Sequence, residues 1–107
     1  MTSQGSAYGR FRRALEIGNE TLVLAAAREL PHIALDDALR ICLVLRDSDR
    51  VRYERAAVRW LGRFALEAHG VTIEALRQAA DALDSLPSST AAAVEQLQGL
   101  CARHSVL

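Results

Sequence analysis

Lysine is missing from this chain: all thirteen basic residues are arginine, and thirteen Asp and Glu cancel them. With no net charge, no overall field draws the protein to nucleic acid or to anionic lipid. This arginine usage, together with abundant alanine, resembles the coding bias of a GC-rich bacterial genome. An arginine at a given site is therefore no sign that its bidentate geometry was needed. Aromatic residues make up only 5%, and with valine and isoleucine also sparse there is little to build a sheet core. Two prolines and six glycines are all that interrupt the backbone. No apolar run approaches the ~20 residues of a membrane span; the one at 41–45 is only five residues long. The first residues lack the basic and apolar regions of a signal peptide, so a cytoplasmic location is expected. Cys42 and Cys101 each sit in an apolar helical stretch, where a lone cysteine acts as a small core hydrophobe.

What remains is a chain of 107 residues, half of them apolar, the size of one domain. Alanine and leucine dominate, and both are strong helix formers. Helical spacing predicts a first helix over 7–17, a stop and restart at Gly18 and Asn19, and a second helix over 20–30 that Pro31 ends. A third, over 34–46, is apolar on nearly every side, with Asp36, Asp37 and Arg40 as a narrow polar strip. Such a helix is either central in the fold or covered by a partner. The longest, over 49–69, spans about 30 Å. Its apolar arc takes Val51, Tyr53, Ala57, Val58, Trp60, Leu61, Phe64, Ala65 and Ala68, and Gly70 follows as a stop. A fifth begins at Thr72, with Val71 and Leu76 spaced as a hydrophobic staple, Ile73, Leu76, Ala79, Ala80, Leu83 and Leu86 inward, and an expected Arg77–Asp81 pair. After a break and cap at 87–90, a sixth helix is expected over 91–104.

The fold expected is all-α: a compact array of five to six helices, an irregular bundle or a short superhelix of helical hairpins, around one long central helix. Residues 1–6 are expected as a flexible tail, 7–104 as a single domain and 105–107 as a frayed end. Asp37, Ala38, Leu39 and Arg40 are echoed by Glu74, Ala75, Leu76 and Arg77, a spacing within the range of helical repeats. The Gly18–Asn19 hairpin is similar to those of tetratricopeptide-like proteins, but their Trp, Gly, Tyr and Pro signature is missing.

Residues that carry chemistry are few. Arg52, Arg55, Arg59 and Arg63 share one side of the long helix, opposite Trp60, and form the candidate partner-binding face. A solvated polar face is the plain alternative, with Glu67 pairing Arg63 and Glu54 pairing Arg50. Arg10, Arg12 and Arg13 make a second basic cluster. The turn at 46–49 has the length of a helix-turn-helix, but a helix with half its surface in the core makes a poor major-groove reader. His32, His69 and His104 have no metal-ligand spacing, and Asp81 and Asp84 beside Arg77 suit ion pairing. Tyr8, Tyr53 and Trp60 have the spacing of core residues rather than of an aromatic cage. No cofactor or metal is expected, and no enzyme. The expected function is a non-enzymatic protein-interaction module that binds a protein or itself. Homodimerisation would run through Ile41, Val44 and Leu45 on the third helix. The alternative, disfavoured, is a small nucleic-acid-binding or regulatory protein that uses the arginine face.

Overall fold

Short polar side chains decide where the helices begin. In the computed structural model, which describes residues 6–86 and 91–104, the order is α1 (Ala7–Ile17), α2 (Glu20–Ala27), α3 (Leu35–Ser48), α4 (Arg50–Glu67), α5 (Ile73–Ser85) and α6 (Ala91–Arg103), with no strand among the described residues. The break and cap expected at 87–90 and the end expected at 105–107 lie outside those residues. Ser6, Asn19 and Thr72 each accept a hydrogen bond from the backbone N–H three residues on, at Gly9, Leu22 and Ala75. Ser6 is thus the N-cap of α1 rather than the end of a tail. Ala34 has no such side chain, and Asp36 accepts from the N–H of Asp37 in its place. Gly18 closes α1 in the left-handed conformation (φ +78°), its N–H donating to Ala14.

Three ends differ from the sequence expectation, each for a local reason. Helix α2 stops at Ala27 instead of residue 30, because the N–H groups of Glu29 and Leu30 bond back only three residues, to Ala26 and Ala27. Helix α3 runs on to Ser48, and Asp49 alone separates it from α4. Asp49 is at once the C-cap of α3 and the N-cap of α4, its carboxylate accepting from the N–H groups of Val51 and Arg52. At its far end α4 stops at Glu67, because Ala68 turns extended and the chain bonds to the end of α6 instead. There the His69 N–H donates to the His104 carbonyl, and His104 Nδ1 lies 2.7 Å from the His69 carbonyl. His69 is therefore beyond the helix, and the left-handed turn comes at Gly70.

Helix α3 explains its own apolar excess. One side joins the main core, where Leu35, Leu39, Cys42 and Leu45 meet Tyr53, Ala57, Trp60 and Phe64 of α4, Ala75, Ala79, Ala82 and Leu83 of α5, and Ala93, Leu97 and Leu100 of α6. The other side covers a small second core of Phe11, Ala14 and Val23 from α1 and α2. Ile41 packs against both cores and Val44 against the second. Of the two roles open to such a helix, it takes the central one.

Helix α4 is anchored by three aromatic side chains. Trp60 stacks on Phe64 at 5.2 Å and donates its indole N–H to the Leu35 carbonyl at 2.8 Å. Phe64 meets the His104 ring edge-on at 5.8 Å. The Tyr53 hydroxyl donates to the Leu83 carbonyl at 2.6 Å, a carbonyl that a proline at residue 87 offers no N–H. Burial pushes the Tyr53 phenol up to about 12, so this donor keeps its proton through the neutral range. The sequence echo does not survive as a structural repeat. Asp37 and Leu39 are buried and Glu74 and Arg77 exposed, while in α5 it is Ala75 that faces the core. Replacing Tyr53 by Phe removes this donor from the buried Leu83 carbonyl. It should cost about 1–3 kcal/mol, read as a fall in thermal midpoint with helix content unchanged.

Candidate functional site

The four arginines of α4 separate into two kinds. Arg52 pairs with Glu20 of α2 and lies within reach of Asp49, tying the α1–α2 hairpin to the base of α4. Arg63 donates to both oxygens of Glu67 and to the Ile33 carbonyl in the loop before α3. The bond with Arg63 holds the Glu67 carboxyl below its ordinary value. Arg55 and Arg59 make no ion pair among the described residues. The expected Arg63–Glu67 pair forms, whereas Arg50 and Glu54 make none among the described residues and Arg77 pairs with Glu74 rather than Asp81.

The dimer contact expected on α3 is corrected by the chain's own hairpin. Leu45 is buried in the main core, and Ile41 and Val44 are partly buried under α1 and α2. Exposed apolar surface lies instead on α4, at Val51 and Val58, which were expected in its core arc, and at Leu66, which was not. Val51 and Val58 are 64% and 62% exposed, and Leu66 is 88% exposed. At helical spacing these three flank Arg55 and Arg59 on the outer face. Gly62 lies among them, and a Cβ added there would meet nothing within 4 Å. Composition hid this face, because two valines on an apolar wheel look like core whatever the helix packs against. On α5, Ile73 was likewise expected inward and is 80% exposed.

Asp37 was also expected on a polar strip, and it is buried, at 4% exposed. One of its oxygens accepts from Arg12 and Arg40, each at 3.0 Å, and the other from the Tyr8 hydroxyl at 2.9 Å. Asp36 adds a longer contact to Arg40, so two carboxylates balance two guanidiniums. The cluster clamps α1 to the start of α3. Its partners come from two helices, which no local spacing reveals. Tyr8, half exposed, is therefore a hydrogen-bond donor rather than a core residue.

Next to this clamp, a cleft of about 600 Å³ opens between the start of α3, Phe64 of α4 and the end of α6. Leu35, Leu39 and Phe64 contribute its apolar lining, with Asp36, Arg40, Cys101 and His104 as its reactive side chains. Their chemistry is already engaged. Burial pushes the Cys101 thiol up to about 11, so it stays protonated at neutral pH; Cys42, deeper, rises to about 12. Arg40 is held by Asp36 and Asp37, and His104 by His69. Among the described residues no three His, Cys, Asp or Glu side chains gather as a metal site.

The hydrogen bond to Asp37 raises the Tyr8 phenol above its ordinary value of 10.0. Folding thus favours the protonated phenol. Its contribution is complete below pH 10 and is lost as pH rises through the folded value. Hydrogen exchange should show α1 losing protection in alkali ahead of α4, and Tyr8→Phe should remove that alkaline step. Asp37→Asn should cost about 1–3 kcal/mol at neutral pH, with the loss of protection greatest in α1. Compared with protein-family models, curated proteins and solved structures, the chain matches none of them.

Proposed function

We propose that this protein is a non-enzymatic interaction module that docks an acidic, partly apolar protein surface on the outer face of α4. One observation carries the reading: Val51, Val58 and Leu66 stand 64%, 62% and 88% exposed beside two arginines that make no ion pair among the described residues. Single exposed apolar side chains are ordinary; three of them along one face of α4 support reading that face as an interaction surface. The aliphatic stems of Arg55 and Arg59 extend that apolar surface while their heads remain charged. Removing the row from water favours association, and the guanidiniums select a partner of opposite sign.

The non-enzymatic reading is supported by the cleft chemistry, where thiol, imidazole and guanidinium are each protonated or engaged. A nucleic-acid surface has less support. Arg10, Arg12, Arg52 and Arg63 are all committed to carboxylates of the chain. The α3–α4 junction is also a single residue rather than the turn of about three to four residues found in a helix-turn-helix. The free cysteines Cys42 and Cys101 suit a reducing compartment, and we place the protein in the cytoplasm. No helix among the described residues is long and apolar enough to cross a membrane.

A photoreactive residue placed at Val58 or Leu66 should form a nuclease-resistant protein adduct in the native host. The same residue at Glu95, exposed on α6, should form none. Arg55→Glu with Arg59→Glu should abolish the adduct. Equal labelling from all three positions, no adduct, or an adduct destroyed by nuclease would each overturn the proposal.

A further inference from the structure

The docking face on α4 has a complement on the same chain. On the outer side of α5, Ile73, Arg77, Asp81 and Asp84 follow one another at helical spacing. Ile73 is 80% exposed, both aspartates are exposed, and neither makes an ion pair among the described residues. Among the described residues, α4 therefore presents cations without an ion pair and exposed apolar groups, and α5 presents anions without an ion pair and an exposed apolar group.

The spacings along the two helices also match. At about 1.5 Å per residue, the midpoint of Arg55 and Arg59 lies about 14 Å from Leu66 along α4. The midpoint of Asp81 and Asp84 lies about 14 Å from Ile73 along α5. Laid antiparallel, with the acids over the arginines, the two helices bring Ile73 onto Leu66. In the same register Arg77 falls opposite Gly62. A cation longer than its neighbours thus crosses α4 where a side chain is missing and where the space beyond the backbone is empty. Glu74 holds Arg77 in an ion pair on its own helix, which keeps its charge from opposing Arg55 and Arg59.

We infer that the partner of the α4 face is the outer face of α5 on a second copy of this chain. The inference rests on the docking-face reading and deepens it by naming the occupant. Val58 then lies beside Asp81, and the Arg55 and Arg59 heads pair with Asp84 and Asp81 at the rim. Pairing at the rim sets orientation and encounter rate, while burial of Ile73, Leu66 and Val58 slows dissociation. Two copies that exchange these faces mutually close a two-fold pair, and copies that do so in sequence form a longer chain. Either assembly contains the same contact.

Charge exchange tests the contact with the whole protein. One variant carries Arg55→Glu and Arg59→Glu, and a second carries Asp81→Arg and Asp84→Arg. Sedimentation velocity over a concentration series should show the unsubstituted protein associating, more weakly as salt rises. Each variant alone should associate at least ~tenfold more weakly. Mixed in equal amounts, the variants should recover association, because glutamates on one α4 then face arginines on the other α5. Recovery also shows that both variants are folded. Ile73→Ser should weaken association without changing its salt dependence. A protein that stays monomeric at high micromolar concentration, or variants that fail to recover on mixing, would overturn the second-copy contact. If the Val58 and Leu66 adducts then still formed with another protein, the docking face would stand with a different occupant. If those adducts were also missing, both readings would fall together.

Discussion

Two aromatic side chains with polar tips hold this fold in place, and both are on α4. Tyr53 and Trp60 are 2% exposed, and each spends its one donor on a backbone carbonyl of another helix. A buried donor left unpaired costs about 1–3 kcal/mol. These two positions therefore favour the arrangement in which Leu83 and Leu35 stand where the donors point. With so few aromatic residues, the core owes its specificity to those two bonds, since alanine and leucine packing alone tolerates sliding. The Tyr53 bond has a further logic, because it serves a carbonyl that the proline at residue 87 leaves without a helical donor.

Around that anchor the molecule has two cores of unequal size, with α3 between them. The main core is built from four helices and contains the large buried side chains apart from Phe11 and Val23. The smaller core under α1 and α2 adds polar ties: the Asp37 cluster at one end, and Arg52 and Ser48 on Glu20 at the other. Electrostatic bonds at a partly solvated surface are worth less than buried apolar area, so the α1–α2 hairpin is the less firmly held part. Arginines that look like a single basic surface in the sequence are thus of two sorts, those that fasten the hairpin and those left over.

The elements were legible in the sequence where the signal was local. Thr72 and Asn19 are N-caps because their short polar side chains precede apolar helical runs, and Gly18 closes α1 because it alone tolerates the required φ. What escaped was whatever depends on which helix lies opposite. Asp36 and Asp37 are adjacent acids in one first turn, both explained by the helix dipole, yet only Asp37 faces Tyr8 and Arg12. Val51 and Val58 were assigned to the core arc on hydrophobicity, while the packing places Tyr53, Ala57, Trp60 and Phe64 inside and leaves the valines out. The apolar surplus on α3 left two roles open, a central helix or one covered by a partner. What covers it is α1 and α2 of the same chain.

The single residue between α3 and α4 carries a consequence for how the molecule presents itself. Asp49 caps both helices and leaves no slack between them, so the rotational phase of α4 is set by the length of that junction. Successive helical residues are offset by about 100°. Lengthening the junction by one residue would therefore either turn Trp60 away from the core or force a new bend to absorb the change. The direction in which Val58 and the free arginines point is a matter of counting residues. A family descended from this chain could vary its outer face freely while keeping the spacer between the two helices at one.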